Sequence, residues 1–396
     1  MNIQELKQSA QQLLEENILR FWLDNMPDPE QGGFYGRIDG NNVLYPHADK
    51  GAVLNARILW TFSASYRVLG KPEYLEAATR AKDYIAEHFI DREYGGVYWS
   101  LDYQGRPKDT KKQFYAIGFM IYGLSEYARA TGDEAALQKA IRLFECIEEH
   151  ASDRKWGGYI EALTRQWQPI ADMRLSDFDA NYPKSQNTHL HIIEPYTNLY
   201  RIWKSPQLEQ ALRNLISIFT DRILNPETHH LDLFFENDWT RGAGQLESYG
   251  HDIECSWLMH EAALVLGDKQ MIKKVEPIVR LVAKASEKGL NNDGSMIHEA
   301  NVDTGRRDDD LHWWVQAEAV VGFLNLYQHF HDESGLQKAL SCYDYILHNL
   351  VDWQQGEWFW SRHKDGSLNR LDDKAGFWKC PYHNGRMCLE IIEREF

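Results

Sequence analysis

"QGGFYGRID", residues 31–39, returns as "YGGVYWSLD" at 94–102 and as "WGGYIEAL" at 156–163. Weaker relatives follow as "HHLDLFFEND" at 229–238, "NNDGSMIHEA" at 291–300 and "QGEWFWSRHKDG" at 355–366. The spacing stays close to 63 residues, stretched by about ten in the middle, where "RLSDFDANYPKS" lengthens a loop. Each copy is a turn followed by a short alternating run, the pattern of a small β-hairpin or loop. A fixed period of this length marks a repeat architecture, and what lies between the turns decides which one.

Between the turns, apolar residues recur at i, i+3, i+4 and i+7, the helical period. They predict helices near 3–23, 50–69, 73–90, 111–131, 134–151, 186–204, 206–223, 251–266, 268–288, 310–332, 334–350 and 382–394. Short "TGD", "LGD" and "LGKPE" turns join partners, with glycine where a helix C-cap takes a left-handed residue. Six hairpins of this size predict an all-α fold, an (α/α)6 barrel with inner and outer helices and short β-hairpin loops. An open solenoid would need polar capping repeats, and the C-terminal unit is too aromatic for one. No linker divides the chain, so residues 1–396 are expected to form one domain.

The 43 % of hydrophobic residues is ample for a core, and the net charge of −16 argues against nucleic acid or an anionic membrane as partner. The opening "MNIQELKQSAQQLLEEN" is amphipathic and does not have the form of a signal peptide. No apolar run approaches the roughly 20 residues of a membrane span. Five scattered cysteines (146, 255, 342, 380 and 388), with no CxxC pair, are those of a reduced, cytoplasmic protein. The 14 Trp, 20 Tyr and 16 Phe residues, 13 % of the chain, are unusual, and core filling is the larger part of the explanation. Tryptophan faces stack on sugar rings, so a neutral carbohydrate is the expected ligand.

In such a ring the candidate residues should recur at matching points of the inner helices. In "NTHLHIIEPYTNLYR" (187–201), Asn187, His191, Glu194 and Asn198 share a stripe, while His189 faces away, so the HxH pair cannot grip a metal ion. In "SYGHDIECSW" (248–257), His251 and Glu254 lie three apart on one face, where a carboxylate can fix an imidazole's tautomer. In "GFWKCPYHNGRMCLE" (376–390), His383 follows Pro381 at a helix start beside Trp378 and Arg386. In "LHWWVQAE" (311–318), Trp314 and Glu318 share a face, and of the adjacent Trp313 and Trp314 one should meet a cavity. Arg57, inside the apolar "NARILW", is costly unless it is paired or meets an anion. Tyr115 adds a hydroxyl. Each has a plainer reading as a buried network, a helix cap or core packing. Together they describe acid–base groups in one pocket, with no cofactor motif and no metal site.

These blocks resemble the N-acylglucosamine 2-epimerase family, and within it the cellobiose 2-epimerase branch. "NTHLHIIEPYTNLYR", "GHDIECSWL", "WWVQAEA" and "KCPYHNGRMCLE" match four signature blocks in order, across essentially the whole chain. The resemblance implies an (α/α)6 barrel that epimerises the reducing-end sugar at C2 through a cis-enediolate. It implies that His251 and His383 are the two acid–base catalysts, that His191 assists ring opening and that Arg57 stabilises the enediolate. Glu254 would orient its histidine neighbour, Trp314 and Trp378 would stack on sugar, and Tyr115 and Asp179 would touch it. Asn187, Trp313 and Glu318 complete the expected sugar contacts. No metal or cofactor is implied, and relatives are monomers or dimers. Pro195 departs from the pattern: it stands where the branch usually has alanine, and a proline should kink the helix that carries His191 and Glu194.

Other readings compete. The sugar could be mannobiose or a free monosaccharide. An aldose–ketose isomerase uses the same enediol but returns the proton to C1. A glycoside hydrolase would pair Glu254 with Glu318 across a glycosidic bond. A non-catalytic sugar-binding protein would keep its ligand without His251 and His383.

Overall fold

All six turns close on one pattern. Asp28, Asp91, Asp153, Asn225, Asn291 and Asp352 each donate a backbone N–H to a carbonyl four or five residues on, at 2.7–3.1 Å. The tip of each turn needs a positive φ, which glycine supplies at Gly32, Gly95, Gly157, Gly294 and Gly356. The fourth turn places His229 there, at φ 62°. That substitution is why "HHLDLFFEND" is hard to see as a copy of the first three.

The computed structural model describes every residue except Phe178 and Gln245. Among the described residues the helices are α1 (Ile3–Gln12), α2 (Arg20–Asn25), α3 (Ala52–Leu69), α4 (Pro72–Tyr84), α5 (Phe114–Thr131), α6 (Glu134–His150), α7 (Gln186–Ile202), α8 (Pro206–Ile218), α9 (Tyr249–Leu266), α10 (Lys269–Ser286), α11 (Trp313–Phe330), α12 (Glu333–Asn349) and α13 (His383–Glu393). A wider-turned stretch, Leu13–Leu19, joins α1 and α2 into one rod, so twelve rods stand where twelve helices were expected.

α3, α5, α7, α9, α11 and α13 pack each on the next, and α13 returns to α3 to close the ring. Their sequences explain the inner position. Every residue from Ala52 to Ser65 of α3 and from Phe114 to Ala128 of α5 is buried, as in a helix covered on all sides. Outer helices have one apolar stripe: α10 buries Val275, Val279 and Val282 while its other face is wet. α4, α6, α8, α10 and α12 each back the inner helix before them, and the α1–α2 rod backs α13. The sixth hairpin is therefore made from the two ends of the chain, where Lys7 Nζ donates to Ile392 O at 3.1 Å. The ring is a closed (α/α)6 barrel.

Short strands stitch neighbouring units at one end of the ring. β1 (Lys50–Gly51) pairs with β2 (Ser100–Leu101), which also pairs with β3 (Pro107–Asp109). β4 (Lys112–Gln113) pairs with β5 (Ala162–Leu163), and β6 (Lys184–Ser185) with β7 (Phe234–Phe235). β8 (Leu246–Ser248), β9 (Glu299–Asn301) and β10 (Arg307–Asp308) form one antiparallel sheet, and β11 (Leu311–His312) pairs with β12 (Ser361–Arg362). A bridge from Ile38 to Ala375 closes this second ring. The sequence reading missed the ion pairs that lock it. Lys50, Lys112, Lys184 and Lys374 are buried and each meets the turn aspartate of its unit at 2.6–2.8 Å.

Candidate active site

The stitched end gathers the expected residues. A cavity of about 460 Å³ opens there, lined by side chains from the first turns of all six inner helices and from the loops above them. Arg57 (α3), Tyr115 (α5), Asn187 and His191 (α7), His251 and Glu254 (α9), Trp313 and Trp314 (α11) and His383 (α13) all reach it. Asp179 and Trp378 reach it from loops. Eleven of the twelve expected residues are thus brought together, from positions spread along the whole chain.

The twelfth, Glu318, corrects the expectation that it touches sugar. It is buried behind the wall with both oxygens engaged. Oε1 takes His383 Nδ1 at 2.7 Å and Arg386 Nη2 at 2.6 Å, and Oε2 accepts from Trp257 Nε1 at 3.0 Å. A carboxylate can only accept, so it holds the proton on His383 Nδ1 and turns Nε2 to the cavity.

Glu254 brings a second correction. It supports Arg386, which donates to its Oε1 at 2.8 Å, and lies 3.9 Å from His383 Nδ1. Its helical neighbour His251 instead has Nδ1 2.8 Å from Ser248 Oγ. The i, i+3 spacing gave the face correctly but not the partner. In α7 the same spacing does make the pair, with His191 Nδ1 3.0 Å from Glu194 Oε2.

Arg386 is the residue that sequence reasoning passed over. It is fully buried and joins three glutamates, reaching Glu194 through Nη1 and Glu254 and Glu318 through Nη2. Its guanidinium lies over the rings of Tyr382 (4.3 Å) and Trp257 (4.7 Å), and Tyr382 OH also donates to Glu194. A signal was present: Arg386 stands three residues after His383 in an apolar helix, the same anomaly that marks Arg57. One arginine cannot neutralise three carboxylates. Burial and the Glu318 charge push the Glu254 carboxyl well up, and its Oε2 has no hydrogen-bond partner among the described residues.

Arg57 is held differently. Nη2 donates to Tyr115 OH at 2.9 Å and Nη1 to Trp378 O at 3.3 Å, while the plane covers Phe119 (4.2 Å) and Tyr382 (4.7 Å). These contacts are all neutral, and its Nε is unpartnered among the described residues. A buried cation satisfied only by dipoles and ring faces is poised for an anion.

The three histidines are driven toward the neutral form. Burial, then the charges of His298, His191 and His383, pushes His251 well below the usual range. Burial, Arg57 and Arg386 do the same to His383, and burial lowers His191 in spite of Glu194. Trp314 lies against two of them, its ring 4.9 Å from His251 and 5.6 Å from His383. Of the pair, Trp314 is the more open to the cavity, whereas Trp313 reaches its wall while buried against Trp360 at 4.6 Å. His189 does point away, accepting from Tyr159 N at 3.0 Å.

Pro195 does not break its helix: α7 runs unbroken through it. The lost N–H leaves the His191 carbonyl free, and Gly118 of α5 packs onto that carbonyl, where a Cβ would come within 2.4 Å of the oxygen. Proline and glycine together seat His191.

The whole arrangement is matched elsewhere. Residues 33–385 match the model of the N-acylglucosamine 2-epimerase (GlcNAc 2-epimerase) family. The chain belongs to that family. It is 60 % identical over 387 residues to a cellobiose 2-epimerase of Bacteroides fragilis, covering 98 % of each chain. It is 40 % identical over 395 residues to a cellobiose 2-epimerase of Ruminococcus albus, covering 100 % of this chain and 99 % of that one. Its fold superposes on the structure of cellobiose 2-epimerase from Bacillus thermoamylovorans with a TM-score of 0.94 at 39 % identity, covering 99 % and 100 %.

Proposed function

We propose that this protein is a sugar 2-epimerase that interconverts glucose and mannose configurations at the reducing end of a β-1,4-linked disaccharide such as cellobiose. One observation carries the reading: two imidazoles, His251 and His383, both lie against the Trp314 ring beside a buried arginine, Arg57, that has no counter-ion among the described residues. Inversion at C2 needs a proton taken from one face and returned to the other, and one base alone would restore the starting sugar. Neutral imidazole takes the C2 proton on one face and the opposite ring, as imidazolium, delivers a proton on the other, so each turnover starts with one ring neutral and one protonated and ends with the two states exchanged. As the C2 proton leaves, negative charge grows on the sugar oxygen, and Arg57 and Tyr115 stabilise it there. His191, fixed by Glu194, assists ring opening and closure. Trp314 and Trp378 stack on the sugar, and Asn187 and Asp179 bind its hydroxyls.

The relatives named above support the disaccharide, and the cavity volume falls in the ~300–1,000 Å³ range of small-ligand sites. A hydrolase that uses Glu254 and Glu318 is disfavoured, because Glu318 is spent behind the wall. We read residues 1–396 as one catalytic domain, because the α1–α2 rod is needed to cover α13. Five unpaired cysteines agree with a cytoplasmic location, and among the described residues no helix is long and apolar enough to cross a membrane. The site draws on one chain only, so a monomer or a homodimer serves equally.

Proton NMR of cellobiose, mannobiose, glucose and mannose incubated with the protein in D2O tests this. The expected result is glucosylmannose from cellobiose, with deuterium at C2. A ketose product would move the assignment to an isomerase, and unchanged spectra for all four sugars would sink it.

A further inference from the structure

Two histidines that line the cavity, His298 and His312, and an aspartate beside them, Asp308, have no role in the proton transfers above. His298 lies just before β9, Asp308 ends β10 and His312 ends β11, so the three-stranded sheet and its neighbour bring them together. Asp308 Oδ2 is 3.1 Å from His298 Nδ1 and 3.4 Å from His312 Nε2. The three ligand atoms lie within 4.8 Å of one another, and the two imidazole rings are 4.8 Å apart. All three residues are half-buried.

We propose that His298, Asp308 and His312 form a binding site for one zinc-class transition-metal ion at the mouth of the sugar cavity. The spacing carries the argument. A four-coordinate ion about 2.0–2.1 Å from nitrogen and oxygen ligands sets those ligands about 3.4 Å apart. The two edges through Asp308 already have that length, so an ion enters with only a small closing movement between the histidines. Two imidazoles and one carboxylate suit zinc, nickel or copper, whereas calcium and magnesium want more oxygen. Three protein ligands leave a fourth position open toward the cavity.

The position gives such an ion an effect. The His298 ring is 5.4 Å from the Trp314 ring, which itself lies against His251 and His383, and His312 caps α11, which carries Trp314. An ion drawn between the two histidines therefore sits against the sugar's stacking face. It tethers the residues that support that face, and zinc inhibits turnover reversibly.

Isothermal titration of the untagged full chain, stripped by a chelator, with zinc chloride tests the site. We expect one ion per chain, and a loss of affinity beyond the roughly 10-fold that removal of even an outer-shell partner costs in Asp308→Asn and, independently, in His312→Gln. Both variants are checked for native circular dichroism. Calcium chloride should give no matching binding. Inhibition by zinc, measured against each variant's own zinc-free rate, should weaken in parallel. Wild-type and Asp308→Asn titrations that superimpose would overturn the site, as would no zinc binding up to millimolar concentration. Binding lost only in His383→Asn would place the ion on Glu254 and Glu318 instead, and would overturn it too. The titration does not depend on which sugar the enzyme uses.

Discussion

The α9 and α13 sides of the cavity carry the same residue and hold it in different ways. His251 leans on a hydroxyl, Ser248, at 2.8 Å, whereas His383 leans on the carboxylate of Glu318 at 2.7 Å. A hydroxyl can donate or accept, so the His251 ring can switch tautomer as its proton comes and goes. A carboxylate only accepts, which fixes the His383 tautomer and places negative charge beside the imidazolium that forms in the cycle. Burial lowers both imidazoles, but only His383 has a carboxylate waiting for its protonated form. Two bases that look equivalent in a sequence are thus built for unequal work.

The strongest way to break this comparison is to remove each base. His251→Ala and His383→Ala should each lower epimerisation by about 10²–10⁴-fold. Each variant should still exchange the C2 proton with D2O in one epimer, and the two variants should exchange opposite epimers. NMR wash-in reads this directly, and exchange of the same epimer by both would defeat the two-sided arrangement.

A smaller effect separates the two supports. Glu318→Gln presents an amide that can donate to His383 Nδ1 and so favours the wrong tautomer, with an expected kcat loss of about 10²-fold or more. Ser248→Ala removes one neutral hydrogen bond, worth about 1 kcal/mol, and should cost about five-fold. Equal losses in steady-state rates would erase the asymmetry.

The smallest effect is in the pH profile. A free imidazole is half protonated near pH 6.5, which would remove the base there. Burial and neighbouring positive charge lower both folded values, so the neutral base persists to more acid pH. On lowering the pH, kcat/KM should hold through 6.5 and fall only below it. A limb at or above 6.5 would mean that water reaches these rings.

The fold was legible because its signal is periodic and local: six turns and twelve amphipathic segments can be counted along the chain. The cavity was legible for a related reason, since matched positions on inner helices must converge in a closed ring. What stayed hidden is long-range. Nothing near Arg386 announces Glu194 or Glu254, which lie 192 and 132 residues away. Spacing on a helix reports a face, not a rotamer, so Glu254 was assigned to His251 when the charge of Arg386 draws it elsewhere. The four buried lysines were missed because a lysine beside a turn is normally wet, and only the turn of the same unit, folded back, supplies its aspartate.

Closing the ring through α13 has a consequence for how the molecule can fail. This one helix carries both His383 and Arg386, so a change that unseats it opens the barrel, withdraws one of the two bases and leaves Glu194 and Glu318 without the arginine that joins them. Shape and chemistry are lost in the same event, and a partly active, partly open molecule has no place in this design.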